Sequence, residues 1–258
     1  MISYLAYRAA AGGYSFVNSE AEAVVAAFST EPDDTRKELI DDTVGALKTA
    51  GVWTKLYFLH VMAANAELNA LVNWKSPGTF NLVRVNSPTF TTDRGFTGDA
   101  VSMHLTIGAE STVFPNGSRD DEHLGAWQLT SGTNGEPCLA NVSTGDKHRL
   151  FVNGGANERQ VRVSGSTEAI FNDNITTGHV VGRRPDSANV YSYRNGTDEQ
   201  TGAIASSAPT ANSLALLRRN TGYNAAQIFA CHGGQNLSAT EVTALYDALN
   251  AYKTGVGA

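Results

Sequence analysis

Charge is scarce. Only 17% of the 258 residues are charged, and the formal net charge is −6. Lys and Arg form no long run, and Arg183-Arg184 and Arg218-Arg219 are mere pairs. A surface that tracks phosphates needs clustered cations, so nucleic acid is not an expected partner. Cysteine is rarer still: Cys138 and Cys231 lie far apart and lack the close cysteine neighbours of a structural zinc site. No His-x-x-x-His pair accompanies them. Two free buried thiols are favoured over one inter-strand bridge, because nothing else in the chain reads as secreted. The start, MISYLAYRAAAGGYSF, has no basic segment followed by an unbroken apolar run, so no signal peptide is read and synthesis in a cytoplasm is expected. The oily stretch after Gly51 carries Lys55, His60, Asn65 and Glu67, too polar for membrane insertion. A Gly-x-Ser-x-Gly elbow and a Walker loop are also missing. No Glu-x-Asp-x-Glu alternation sets two acids on one strand face for retaining glycan hydrolysis.

What the chain does have is 41% hydrophobic residues, 25 Gly and a surface stock of Asn, Thr and Ser. That mixture suits a loop-rich sandwich. From Pro77 onward short alternating or β-branched segments recur at 79–86, 89–92, 100–107, 125–130, 138–142, 148–152, 160–163, 168–171, 179–182, 189–194, 213–218 and 227–231. Asn-Gly, Gly-Gly and Ser-Gly turn signals separate them at the spacing of a sandwich or jelly roll. The end is a helix: Ser238 and Glu241 form a capping box, Leu237 and Val242 a staple, and Val242, Leu245, Tyr246 and Leu249 a buried stripe. Lys253 and Gly255 close it.

The front reads differently. Residues 1–19 suggest an arm, or with the short helix 20–28 a tether spanning 1–32. A helix from residue 33 carries Leu39, Ile40, Val44 and Leu47 on one stripe and stops at Gly51. The segment 51–75, GVWTKLYFLHVMAANAELNALVNWK, is read as a second helix, because Val52, Leu56, Leu59, Ala63, Ala66 and Ala70 repeat at helical spacing. Trp53, Tyr57, Phe58 and Val61 cover its other sides, and a helix apolar all round is buried all round. Residues 33–75 are thus expected to form a docking hairpin, with 76–258 the β domain. Trp53, Leu56, Tyr57, Phe58, Leu59 and Met62 are its candidate assembly residues, suited to a homo-oligomer such as a trimer; a private lid over the sandwich is the alternative.

Two stretches carry a resemblance. NLSATEVTALYDAL, following a strand at 227–231, resembles the closing element of concanavalin A-like, laminin-G-like jelly rolls. Residues 50–100 resemble a segment of virion proteins of phages, prophages and phage-like gene transfer agents. The shared residues are Trp53, Asn73-Trp74-Lys75, Phe90, Asp93-Arg94-Gly95 and Gly98-Asp99. The resemblance implies a fibre, spike or decoration protein on the particle surface, bound to other virion proteins. It also implies a mainly β, concanavalin A-like jelly-roll sandwich with an N-terminal helical hairpin and a C-terminal helix. Such a lectin-like domain would bind host cell-surface polysaccharide, and the resemblance carries over no catalytic residue. A purely structural connector is the second reading and a glycan hydrolase the third.

For sugar contact, aromatic faces and hydrogen-bonding side chains are needed. Trp127, Tyr191, Tyr193 and Tyr223 are candidate platforms, and His123, Asn153, Arg183 and Asn195 candidate polar partners. Each also has a structural reading: Trp127 alternates with Leu129 as core residues do, and Asn153 sits in a hairpin signal. The densest acids, Asp120-Asp121-Glu122 and Asp198-Glu199, read as solvated loops. No cofactor is implied, calcium on such loops being the one ion considered.

Overall fold

The computed structural model describes residues 13–110, 119–142, 147–155, 158–173, 175–208 and 213–258. The first part of the expected arm, residues 1–12, lies outside them. Two antiparallel sheets pack as a sandwich. One has eight strands, in the order β13(Asp198–Gly202), β12(Val190–Arg194), β11(Gly178–Arg184), β6(Glu122–Gln128), β15(Gln227–Gly234), β4(Gly95–Thr97) and β3(Thr89–Thr91), with β1(Leu56–Val61) also on β15. The other runs β10(Ala169–Asn172), β9(Glu158–Arg162), β8(Arg149–Phe151), β7(Leu139–Asn141), β14(Ser213–Leu216), β5(His104–Glu110) and β2(Leu82–Val85). The α-helices of the described residues are α1(Ser19–Ala26), α2(Asp34–Thr49), the single turn α3(Val52–Lys55) and α4(Ala239–Val256), with a 3-10 turn at Asn69–Leu71.

All twelve expected β segments overlap a strand. The expected helix over 51–75 does not form: after α3 the chain becomes β1, whose residues from Phe58 to Val61 pair with Gly233 to Ala230. Its apolar surround has a β explanation. Phe58 and Met62 face the inter-sheet core, while Leu59 and Val61 face a second apolar layer beneath the helices. A register shift between Leu56 and Phe58 turns Leu56 to the helix side as well. A strand covered on both faces reads as a continuous hydrophobic run with no period of its own. The N-terminal helical pair is therefore α1 with α2, and residues 56–61 belong to the sandwich rather than to a separate docking unit. Trp53, Leu56, Phe58, Leu59 and Met62 are buried within the single chain, so a second copy cannot reach them without opening the fold. Tyr57, half-buried, packs on the inter-sheet core.

The outer face of the eight-stranded sheet is covered by α2 and α4, with Val44, Leu47, Leu245, Leu249 and Tyr252 in the layer between. The capping box forms as expected, Ser238 Oγ accepting from Glu241 N and a Glu241 carboxylate oxygen from Ser238 N. The residues of the front motif, from Trp53 to Asp99, mostly tie the front to this body. Asn73 accepts from the amides of Leu59 and Lys75, Trp74 packs edge-on against Tyr252, and Lys75 reaches the Trp53 carbonyl. Asp93 pairs with Arg36. A side chain at Gly95 would fall 2.1 Å from the Ile228 carbonyl, and its φ of +96° suits glycine. The described end of the arm is docked: Asp41 accepts from Tyr14 Oη and from the amides of Val17 and Asn18. Burial raises the Asp41 carboxyl, but these hydrogen bonds outweigh it and hold its pKa below the ordinary value.

Candidate functional site

Along β6 the odd residues His123, Gly125 and Trp127 face the helix layer, as do His179, Val181 and Arg183 of β11 and Tyr191 and Tyr193 of β12. Alternation thus puts five of the eight expected site residues on one sheet face. Helix α4 then crosses that face and divides them.

Near the C-terminal end of α4 the cover is incomplete. A cleft of about 380 Å³ opens there, lined by Arg94, Trp127, Gln128, Leu129, Thr177, Gly178, Asn195, Tyr246, Asn250, Lys253 and Ala258. Trp127 and Asn195 are the two expected residues it brings together. Trp127 is only 5% exposed. Its ring stacks on Tyr246 (5.2 Å, 14°) and on His179 (5.2 Å, 21°), with Phe229 edge-on. It is a wall, and half-buried Tyr246 supplies the more accessible aromatic surface. The turn Asn195-Gly196 has φ of +50° and +80°, as a tight hairpin between β12 and β13 requires. It is pinned to α4 by Thr243 Oγ1 donating to the Gly196 carbonyl at 2.7 Å. Lys253 Nζ lies 6.0 Å from the centre of the Trp127 ring. Arg94 donates through Nε to Gln227 Oε1 at 2.9 Å. Gln128, 1% exposed, donates to the Thr176 carbonyl, while its Oε1 has no partner among the described residues.

Behind Trp127 runs a chain of buried imidazoles. His123 Nε2 lies 3.1 Å from His232 Nδ1, and His232 Nε2 lies 2.8 Å from His179 Nε2. The Gln235 carbonyl at His123 Nδ1 can only accept, which assigns every proton in the neutral chain. His123 donates to Gln235, His232 Nδ1 to His123 and His179 Nε2 to His232. His179 Nδ1 is left as an acceptor without a partner among the described residues. Burial holds these rings neutral, pushing His179 to about 3, His123 to about 4 and His232 well below the ordinary value. Gly125 makes room for the chain, since a Cβ there would fall 2.1 Å from the His232 ring. His123 is therefore a buried link, not a sugar contact.

The remaining expected residues lie apart. Arg183 stacks on Tyr191 at 4.3 Å and donates to Tyr193 Oη at 2.9 Å, and Tyr193 donates to Glu199. Burial, with the Glu199 hydrogen bond, pushes the Tyr193 phenol up to about 12. This network satisfies its own polar groups. Tyr223 packs with Arg218 and His104 at the other side of the sandwich, and Asn153 follows β8 in the opposite sheet. Of the acids expected in solvated loops, Asp120 lies in a turn and Asp121 exposed in a bend, whereas Glu122, 1% exposed, begins β6 and accepts from Ser164 Oγ at 2.7 Å with His148 Nε2 at 3.0 Å. Asp198 and Glu199 begin β13, Asp198 pairing with buried Arg159. Among the described residues no aspartate or glutamate lines the cleft, so the paired carboxyls of glycoside hydrolysis are not offered by them there. Among the described residues no group of three His, Cys, Asp or Glu converges to hold a metal ion, and no helix is long and apolar enough to cross a membrane.

Sequence reasoning missed Arg94, Gln128, Tyr246, Asn250 and Lys253. Three of them, Tyr246, Asn250 and Lys253, recur at i, i+4 and i+7 on α4, a mixed aromatic and polar stripe that was available to be read.

No sequence model of a known family matches the chain, and neither does any curated protein. Solved structures do. A botulinum neurotoxin type C structure, concerned with that toxin's interaction with two ganglioside molecules, matches with a TM-score of 0.58 at 10% identity, over 78% of this chain and 53% of that one. The binding domain of botulinum neurotoxin serotype D gives 0.52 at 10% identity, over 76% and 52%. Trypanosoma rangeli sialidase in complex with sialic acid gives 0.53 at 12% identity, over 81% and 38%. The chain spans about half or less of the length of these solved chains. At such identities the likeness is one of fold alone, a two-sheet β-sandwich.

Proposed function

We propose that this lectin-like sandwich binds host cell-surface polysaccharide in the cleft beside Trp127 and Tyr246, as a surface subunit of a phage or phage-like particle made in a bacterial cytoplasm. The observation that carries the binding reading is the cleft itself. It combines an aromatic surface on Tyr246 with the amides of Gln128, Asn195 and Asn250, the pairing of apolar ring face and hydrogen-bonding groups that sugar rings require. The neurotoxin and sialidase structures support it as relatives in fold whose own ligands are a ganglioside and sialic acid. The particle setting rests on the front motif from Trp53 to Asp99. Virion partners and further copies of the chain would then use surfaces other than the buried 53–62 segment. The protein acts here as a binder and not a hydrolase.

The test is binding of purified host-surface polysaccharide by calorimetry, with Tyr246→Ala and Asn250→Ala beside the wild type and thermal melts as folding controls. The expected result is at least a tenfold loss of affinity in either variant, with no new reducing ends in the polysaccharide. Incorporation into particles without any glycan affinity would instead establish a purely structural decoration protein.

A further inference from the structure

We infer that the glycan taken by this cleft is acidic, its carboxylate held between Arg94 and Lys253; the inference rests on the glycan-binding reading above. In a chain with 25 acidic and 19 basic residues, most cations find an acid. Arg36 meets Asp93, Lys55 meets Glu241, Arg194 meets Asp173 and Arg219 meets Glu136. Arg94 and Lys253 form no ion pair among the described residues, yet both line this cleft, whose described wall has no aspartate or glutamate. Two cations that line one cleft repel each other, and an anion bound between them relieves that repulsion.

Arg94 is held for the task. Its backbone sits in the β3–β4 turn, with Asp93 at φ +62° and Gly95 pressed onto β15. Its Nε is fixed by Gln227, and its two terminal guanidinium nitrogens have no partner among the described residues, so they can grip a carboxylate in a planar fork. Lys253 extends from the last turn of α4, where the helix favours a cation, and stays beside the Trp127 ring. The unpartnered Gln128 Oε1 and the amides of Asn195 and Asn250 remain for hydroxyls, so charge and hydroxyl recognition are separately supplied. Against a net charge of −6, an acidic chain is repelled by the protein as a whole and attracted at this cleft.

The experiment is thermophoretic binding of polygalacturonate, hyaluronate and alginate, each native and carboxyl-reduced, with dextran and galactan as neutral chains. It is run on the full chain at two salt concentrations. Arg94→Gln and Lys253→Gln are compared with Lys37→Gln, a lysine of α2 outside the cleft that pairs with Glu31 and Asp34, and melts confirm that all are folded. The expected result is that a native acidic chain binds at least about tenfold more tightly than its reduced form, and more weakly at high salt. Each cleft variant should lose about tenfold for the native chain and nothing for the reduced one. Equal binding of native and reduced chains, an unaffected Arg94→Gln, or binding of neutral chains alone overturns the acidic assignment while leaving the glycan reading intact. Binding of none of these chains overturns both.

Discussion

Acid should unfold this protein through its imidazoles before most of its carboxylates titrate. His60, His123, His179 and His232 are completely buried. Burial pushes His60 and His179 to about 3 and His123 to about 4, and His232 well below its ordinary 6.5. In the unfolded chain each returns to about 6.5. The folded values are the lower ones, so below that pH the unfolded state binds protons that the folded state refuses. Stability is complete above about pH 7 and is lost as the pH falls toward the folded values. Each such group removes about 1.4 kcal/mol per pH unit. Four together remove on the order of 5 kcal/mol per unit across roughly pH 5.5 to 4.5. A domain of ordinary stability, about 5–15 kcal/mol, would then be unfolding near pH 4–5. His104, also lowered by burial and by Arg218, adds a fraction to the slope. The assay is urea unfolding followed by tryptophan fluorescence at stepped pH, with the logarithm of the unfolding constant plotted against pH. The expected slope in that window is about four protons, falling by about one in His60→Leu. A slope of one or less, or a native imidazole in the chain titrating near 6.5 by NMR, would refute the reasoning.

Three further outcomes follow from packing. Gly125→Ala should lower stability by about 1–3 kcal/mol, because its Cβ meets the His232 ring at 2.1 Å; His232→Ala in the same chain should restore part of the loss in thermal melts. Leu59→Ala should cost about 2–5 kcal/mol in urea unfolding and leave the light-scattering mass of the folded protein unchanged, since Leu59 is buried inside one chain. Cys138 and Cys231 are free and buried, with the Cys138 thiol pushed up to about 12 by burial. Neither should react with an aromatic disulfide reagent until urea unfolds the protein, and prompt reaction of either thiol would contradict that burial.

The strands were legible because their boundaries are chemical. Turn residues punctuate the chain from Pro77 on, and every segment read between them is a strand or overlaps one. The three strands not read failed for separate reasons. β4 has three residues inside Asp93-Arg94-Gly95-Phe96-Thr97, too few to show alternation. β13 opens with Asp198 and Glu199, which are exposed as their charge suggests but lie on an edge strand, one meeting buried Arg159 and the other Tyr193. β1 is apolar on both faces, so a helical spacing could be threaded through Val52, Leu56, Leu59 and Ala63 as easily as a period of two. Composition could have decided it: Leu56–Val61 is aromatic and branched, whereas the alanines that sustained the helical seam follow only after Met62.

The site was legible in part, for a reason of the same kind. Strand alternation correctly places His123, Trp127, Arg183, Tyr191 and Tyr193 on one face, but a strand cannot say what will lie upon it. Helix α4 covers that face as far as its buried stripe of Val242, Leu245 and Leu249 extends. Residues under the stripe, such as His123, become core. The cleft forms where the stripe gives way to Tyr246, Asn250 and Lys253, so its ligand-facing groups come as much from the helix as from the sheet. Binding residues in this fold are thus set by the edge of a cover rather than by a strand motif. The side chains to vary first are those on the helix margin, whose loss leaves the sandwich core intact.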